Sequence, residues 1–147
     1  MSINKLLSAV IAVCLSLAVH AQISLNPEKP GFTETVTLIF NASEGNGGLE
    51  GYDGDIYVHT GIINSQSASP SDWKKVVADW GENKPELKLE KIGNDLYQLQ
   101  FSISKLYGVA PAGDVTALTF VFRNEDGSKT GKAKGEQDIY FYLKEPT

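Results

Sequence analysis

Cysteine is nearly missing from this 147-residue chain: the single one, Cys14, lies in an apolar run near the start. With no second thiol the chain cannot staple itself with a disulfide. Basic residues are in the minority, 13 against 18 acidic. That balance argues against nucleic acid and anionic membranes as partners, because binding to either leans on Lys and Arg. Histidine occurs twice, at His20 and His59, and no GxSxG elbow is present, so Ser-His-Asp chemistry has little to build on. No stretch carries a helical period and no unit recurs at a fixed spacing. Only one long hydrophobic run exists, from Leu6 to Val19.

That run follows Met1 to Asn4 and Lys5 and precedes Val19-His20-Ala21, which is the pattern of a secretory signal: a positive start, a short apolar segment, small residues before the cut. It is too short to cross a bilayer comfortably. Cleavage after Ala21 removes 21 of 147 residues and leaves 126, a usual size for one domain spanning 22–147. Cys14 and Lys5 leave with the leader, so the net charge moves from −5 to −6. Val13 stands where a lipid-modified cysteine is normally preceded by Gly or Ala, which disfavours lipidation at Cys14. The expected destination is outside the cytoplasm: extracellular, cell-surface or periplasmic.

What remains is rich in strand patterns. Ile23-Ser24-Leu25, stopped by Asn26-Pro27, predicts an edge strand. In Glu34 to Phe40, Val36, Leu38 and Phe40 share one face. Asn41 to Asp55 holds five glycines and is a loop. Strands are then expected at Ile56 to Thr60, Trp73 to Ala78 and Leu87 to Ile92. The turn Gly93-Asn94-Asp95 leads into Leu96 to Ile103. Ser104 to Tyr107 predicts one helical turn, capped by Ser104 and ended by Gly108. Thr116 to Arg123 is almost continuously apolar and so expected to be central, and Ile139, Phe141 and Leu143 share a face in a last strand. Short strands with turn signals every 8–12 residues or so predict an all-β antiparallel sandwich of about seven to eight strands.

Within this frame, Gly54 to Trp80 collects one His, one Tyr and both Trp residues. Alternation sends Ile56 and Val58 to the core and Tyr57 and His59 outward. A flat ring with a polar tip suits a hydroxyl-rich ligand such as a sugar. Trp73 and Trp80 are an odd number of positions apart, so an unbroken strand would part them to opposite faces. Gly81 would end that strand and free Trp80 to lie on the rim. Tyr140 and Tyr142 offer a second aromatic surface, which cross-strand pairing explains equally well.

The strand Ile56-Tyr57-Val58-His59-Thr60-Gly61, then Trp73 after a loop, then Phe120 to Gly127, resembles the starch-binding carbohydrate-binding modules of families twenty-five and twenty-six. It also resembles small sandwich domains at the N-termini of some bacterial amylases. The likeness covers roughly Asn41 to Leu143. It implies an immunoglobulin-like sandwich that binds α-glucan, such as starch or glycogen, on an aromatic platform without catalysis. Tyr57, His59, Trp73 and Trp80 are the carbohydrate-binding residues it points to. The chain departs from that pattern in its long loop between His59 and Trp73, and in Ser128 to Lys132 replacing an asparagine-rich turn.

No catalytic residue, cofactor or metal is expected. Asp53 and Asp55 supply only two carboxylates where calcium takes six to eight oxygens, and glycosidases need two facing carboxyls across a cleft. The expected partner is a polysaccharide, with a secreted glycoside hydrolase as the protein such a module would serve. The alternative is a secreted structural or protein-interaction subunit, docking through edge strands or the Lys129, Lys132 and Lys134 tip, which otherwise reads as protection against edge aggregation.

Overall fold

The computed structural model describes residues 21–144, so the expected leader, residues 1–21, lies outside the described residues except for Ala21. Eight strands run in the order β1 (Ile23–Asn26), β2 (Val36–Asn41), β3 (Ile56–Ile63), β4 (Glu90–Gly93), β5 (Leu96–Phe101), β6 (Ala117–Asn124), β7 (Thr130–Gly131) and β8 (Ile139–Tyr142). They form two antiparallel sheets, β1-β2-β5-β4 and β3-β6 with β7 and β8 on the far edge of β6. The protein is an all-β sandwich.

Alternation explains how the sheets face each other. From the first sheet Val36, Leu38, Phe40, Tyr97 and Phe101 turn inward; from the second come Ile56, Val58, Ile62, Leu118, Phe120, Phe122 and Ile139, all buried in one cluster. Phe40 and Phe122 stack across the interface, ring centres 3.8 Å apart and 10° from parallel. The turn from β5 to β6 adds a polar tie. Thr60 donates its hydroxyl hydrogen to the Thr119 carbonyl at 2.7 Å, leaving its oxygen free to accept from the Tyr107 hydroxyl, also at 2.7 Å. Burial pushes the Tyr107 phenol well above its usual pKa.

β6 is central, as its apolar run predicts, and every residue in it is buried. β1 is an edge strand. Three local expectations need correction. The strand expected over Trp73 to Ala78 is no strand: only an isolated bridge joins Ile62 and Lys74, because Lys75 takes a positive φ of 51° and breaks the extension. Leu87 to Ile92 is divided. A 3-10 turn occupies Pro85–Leu87, Lys88 and Leu89 pair with Tyr57 and Ile56 of β3, and only from Glu90 does the chain join β5. This segment crosses from one sheet to the other, so a single strand cannot contain it. The short helix α1 (Ile103–Tyr107) starts one residue earlier than expected and is capped by Ser102, not Ser104; Gly108 ends it at φ 65°. Burying Ile103 in the core sets that start.

The segment after β3 folds back along the free edge of that strand. Ile62 and Lys74 exchange backbone hydrogen bonds at 2.8 Å, Val77 donates to the Thr60 carbonyl, and Leu89 to that of Ile56. Residues between these anchors lie beside and over the outer face of the β3-β6 sheet. That fold-back builds the candidate site.

Candidate functional site

Outward positions of β3 and β6 are Tyr57, His59 and Gly61 against Arg123, Val121 and Thr119, paired in register. Gly61 decides how close the returning segment can come. A Cβ there would sit 3.0 Å from the Lys74 carbonyl oxygen and 3.4 Å from Trp73 Cβ, tighter than ordinary contact. The missing side chain lets Trp73 settle on the sheet beside His59, with ring centres 5.4 Å apart and planes 29° apart.

Trp80 arrives from the other side. A turn closed by the Glu82 N–H donating to the Asp79 carbonyl, with Gly81 at φ 87°, lifts its ring over the sheet. It meets His59 edge-on at 5.1 Å and 84°. Because Lys75 and Gly81 break the extension, the odd spacing of the two tryptophans does not send them to opposite faces; both flank His59. The two indole planes cannot be parallel, given their different angles to the imidazole. The arrangement is therefore a cleft with aromatic walls rather than a flat shelf.

The cleft has a volume of about 370 Å³ and is lined by His59, Ser71, Trp73, Trp80, Val121, Lys132 and Asp138. No protein-family model matches this chain, and no curated protein does. The residues themselves therefore carry the functional reading.

Three of the four predicted binding residues, His59, Trp73 and Trp80, meet at this cleft. Trp80 is 49% exposed and Trp73 is half-buried. Tyr57 does not join them. It lies on the outer face as alternation predicts, but is only 9% exposed, with the Arg123 guanidinium 5.4 Å from its ring centre. A ring covered in this way has no open face for a ligand. On the same side of the sheet, Tyr140 and Tyr142 stack 6.0 Å apart, and the Tyr140 hydroxyl donates to the Pro70 carbonyl at 2.8 Å. This bond ties β8 to the loop that carries Ser71 and Trp73.

Sequence reasoning missed the polar rim. Ser71, Lys132 and Asp138 come from three distant segments: the register of β6 with β7 and β8 places Lys132 and Asp138, and the Ile62–Lys74 pairing with the Tyr140–Pro70 bond brings in Ser71. Asp53 and Asp55, considered for calcium, instead face Lys91 at 3.5 Å and Lys88 at 3.2 Å. Among the described residues no group of three or more His, Cys, Asp or Glu is placed to hold a metal ion. Within them no helix is long and apolar enough to cross a membrane.

Burial between the rings, and next the Arg123 charge, push the His59 imidazole below its ordinary pKa of 6.5; Asp138 and Asp79 oppose this more weakly. A base with a lowered native value leaves the unfolded chain to take up the proton first. Its contribution to stability is complete above 6.5 and is lost as pH falls from there through the native value. Following the His59 ring protons by NMR should give a midpoint below that of a histidine in an unfolded peptide. A midpoint at or above 6.5 would contradict the buried, sandwiched imidazole.

Proposed function

We propose that this chain is an exported, non-catalytic carbohydrate-binding module that holds an α-glucan such as starch or glycogen in the Trp73–His59–Trp80 cleft. The observation that carries the reading is the pair of indoles flanking one imidazole on the outward face of the β3-β6 sheet. Such rings offer wide apolar faces to the C–H faces of a sugar, and polar edges to its hydroxyls. Ser71, Lys132 and Asp138 around the rim supply further donors and acceptors of mixed charge, which suits a neutral, hydroxyl-rich ligand. Asp138 is the one carboxylate lining the cleft, whereas glycoside hydrolysis uses two across the scissile bond. A secreted glycoside hydrolase is the protein partner this role implies.

An open cleft desolvates a ligand only in part, so affinity in the ~μM to mM range is expected, about −4 to −8 kcal/mol. Electrophoresis of the domain 22–147 through a gel containing amylopectin tests the reading. Retardation that persists as salt is raised supports it, because the ligand carries no charge to screen. Migration unchanged by the polysaccharide contradicts it.

One observation favours a second reading, a protein-docking sandwich without a glycan ligand: Tyr57, part of the expected platform, serves packing instead. Under that reading the domain captures a partner protein in the presence of excess maltooligosaccharide, and amylopectin leaves its mobility unchanged.

A further inference from the structure

Arg123 is out of keeping with its surroundings. Its side chain is 2% exposed in the outer layer of the sandwich, and among the described residues no carboxylate lies within ion-pair distance of it. An arginine buried without a counter-charge is costly unless its hydrogens are well used. Here the terminal nitrogens go to neutral acceptors on two separate loops, while the buried Nε–H finds no partner. Nη2 donates to the Glu82 carbonyl at 2.8 Å; Nη1 donates to Asn83 Oδ1 at 2.8 Å and to the carbonyls of Asn124 and Glu125 at 3.0 and 3.1 Å. The guanidinium also lies 5.4 Å from the Tyr57 ring centre and 5.7 Å from that of Trp80.

From these contacts we infer that Arg123 is the positioning residue of the cleft: its planar fork clamps the 82–83 segment to the 124–125 turn and thereby fixes Trp80 as one wall. Gly127 completes the seat. It has φ 75°, and a Cβ there would come 2.8 Å from Trp80 Nε1, so the indole rests directly on the turn that Arg123 holds. This reconciles two facts about Trp80, its wide exposure and its fixed edge-on approach to His59. Lysine cannot replace the clamp, because a compact ammonium lacks the planar fork that reaches both loops while lying against a ring. Tyr57 finds its purpose here too, as the floor under the guanidinium.

The effect on affinity rests on the glycan reading above; the effect on Trp80 does not. In a Trp73→Phe background Trp80 is the only tryptophan, and its anisotropy and acrylamide quenching report directly on its seat. Arg123→Lys should lower the anisotropy and increase the quenching of Trp80 in protein that remains folded by circular dichroism. With Trp73 restored, it should weaken maltoheptaose binding by about ten-fold, the scale of one lost cation–π contact and its order. In a Trp80→Ala background the same change should cost no more than about two-fold, since a residue acting through Trp80 has nothing left to position. Equal losses in both backgrounds would overturn the inference, as would unaltered quenching. Asn83→Ala covers the case in which Arg123→Lys does not fold. Asn83 is exposed, so its removal spares the core while deleting one Arg123 acceptor, and unaltered Trp80 quenching there would equally overturn the inference. If the unsubstituted domain binds no maltooligosaccharide, the glycan reading fails and the quenching measurements alone decide the role of Arg123.

Discussion

Trp73→Ala should weaken binding of maltoheptaose by roughly 30-fold or more, measured by titration calorimetry, while the domain stays folded. The size follows from what the ring does. Buried aromatic anchors at the centre of a binding surface typically cost about 2 kcal/mol or more when truncated, and about 1.4 kcal/mol is a factor of ten. Trp73 lies nearly parallel to His59 at 5.4 Å, so its loss both removes one wall and uncovers the imidazole. It sits on an irregular segment outside the core cluster, which separates the effect on binding from that on folding. A variant that binds as the parent does would remove Trp73 from the site, and an indole that serves packing alone would reveal itself in a lowered melting temperature instead.

The largest effect on stability belongs elsewhere. Phe122→Ala should destabilise the fold by about 3–5 kcal/mol, the range for deleting a buried aromatic ring. Phe122 is fully buried in β6, stacks on Phe40 of the opposite sheet at 3.8 Å, and lies 6.2 Å from Phe120. Close packing leaves no neighbour able to fill the space, so the cavity adds to the lost transfer energy. Against a total of about 5–15 kcal/mol for a domain, the loss should be evident in urea unfolding as a much lower midpoint. A change under about 1 kcal/mol would mean that the two sheets do not close through this pair. Trp80→Ala, by contrast, removes a half-exposed ring on a turn and should leave the midpoint close to its original value.

The sandwich was legible because its strands obey a period of two. Val36, Leu38 and Phe40, then Leu118, Phe120 and Phe122, face inward as alternation demands, and the apolar run of β6 does mark the middle of a sheet. Legibility failed where the backbone leaves that period. Between Trp73 and Leu89 a positive φ at Lys75, a turn at Gly81 and a proline-led 3-10 turn carry the chain across one sheet edge and into the other sheet. Parity therefore misjudged how Trp73 and Trp80 relate. Gly61 did carry a signal: a glycine inside a strand, two residues after the outward His59, marks a close approach by another segment.

The role of Arg123 was hidden for a different reason. It ends an apolar run and reads as the polar tip of a strand, and nothing local says that its register partner is Tyr57 or that the 82–83 loop will cover it. The same holds for Lys132 and Asp138, which reach the cleft from strands or turns far from His59 in sequence. Long-range pairing assembles the rim and brings in the two indoles, whereas local alternation aims only Tyr57 and His59.

The central claim is that neutral sugar rings lodge between two indoles above one imidazole. Titrating labelled domain 22–147 with maltoheptaose while recording the indole N–H and histidine ring resonances tests it most directly. Saturable shifts of both indole signals and of the His59 ring, with the Tyr57 ring unaffected, are the predicted result. Spectra that do not change at millimolar oligosaccharide, or shifts confined to residues away from this cleft, would contradict it.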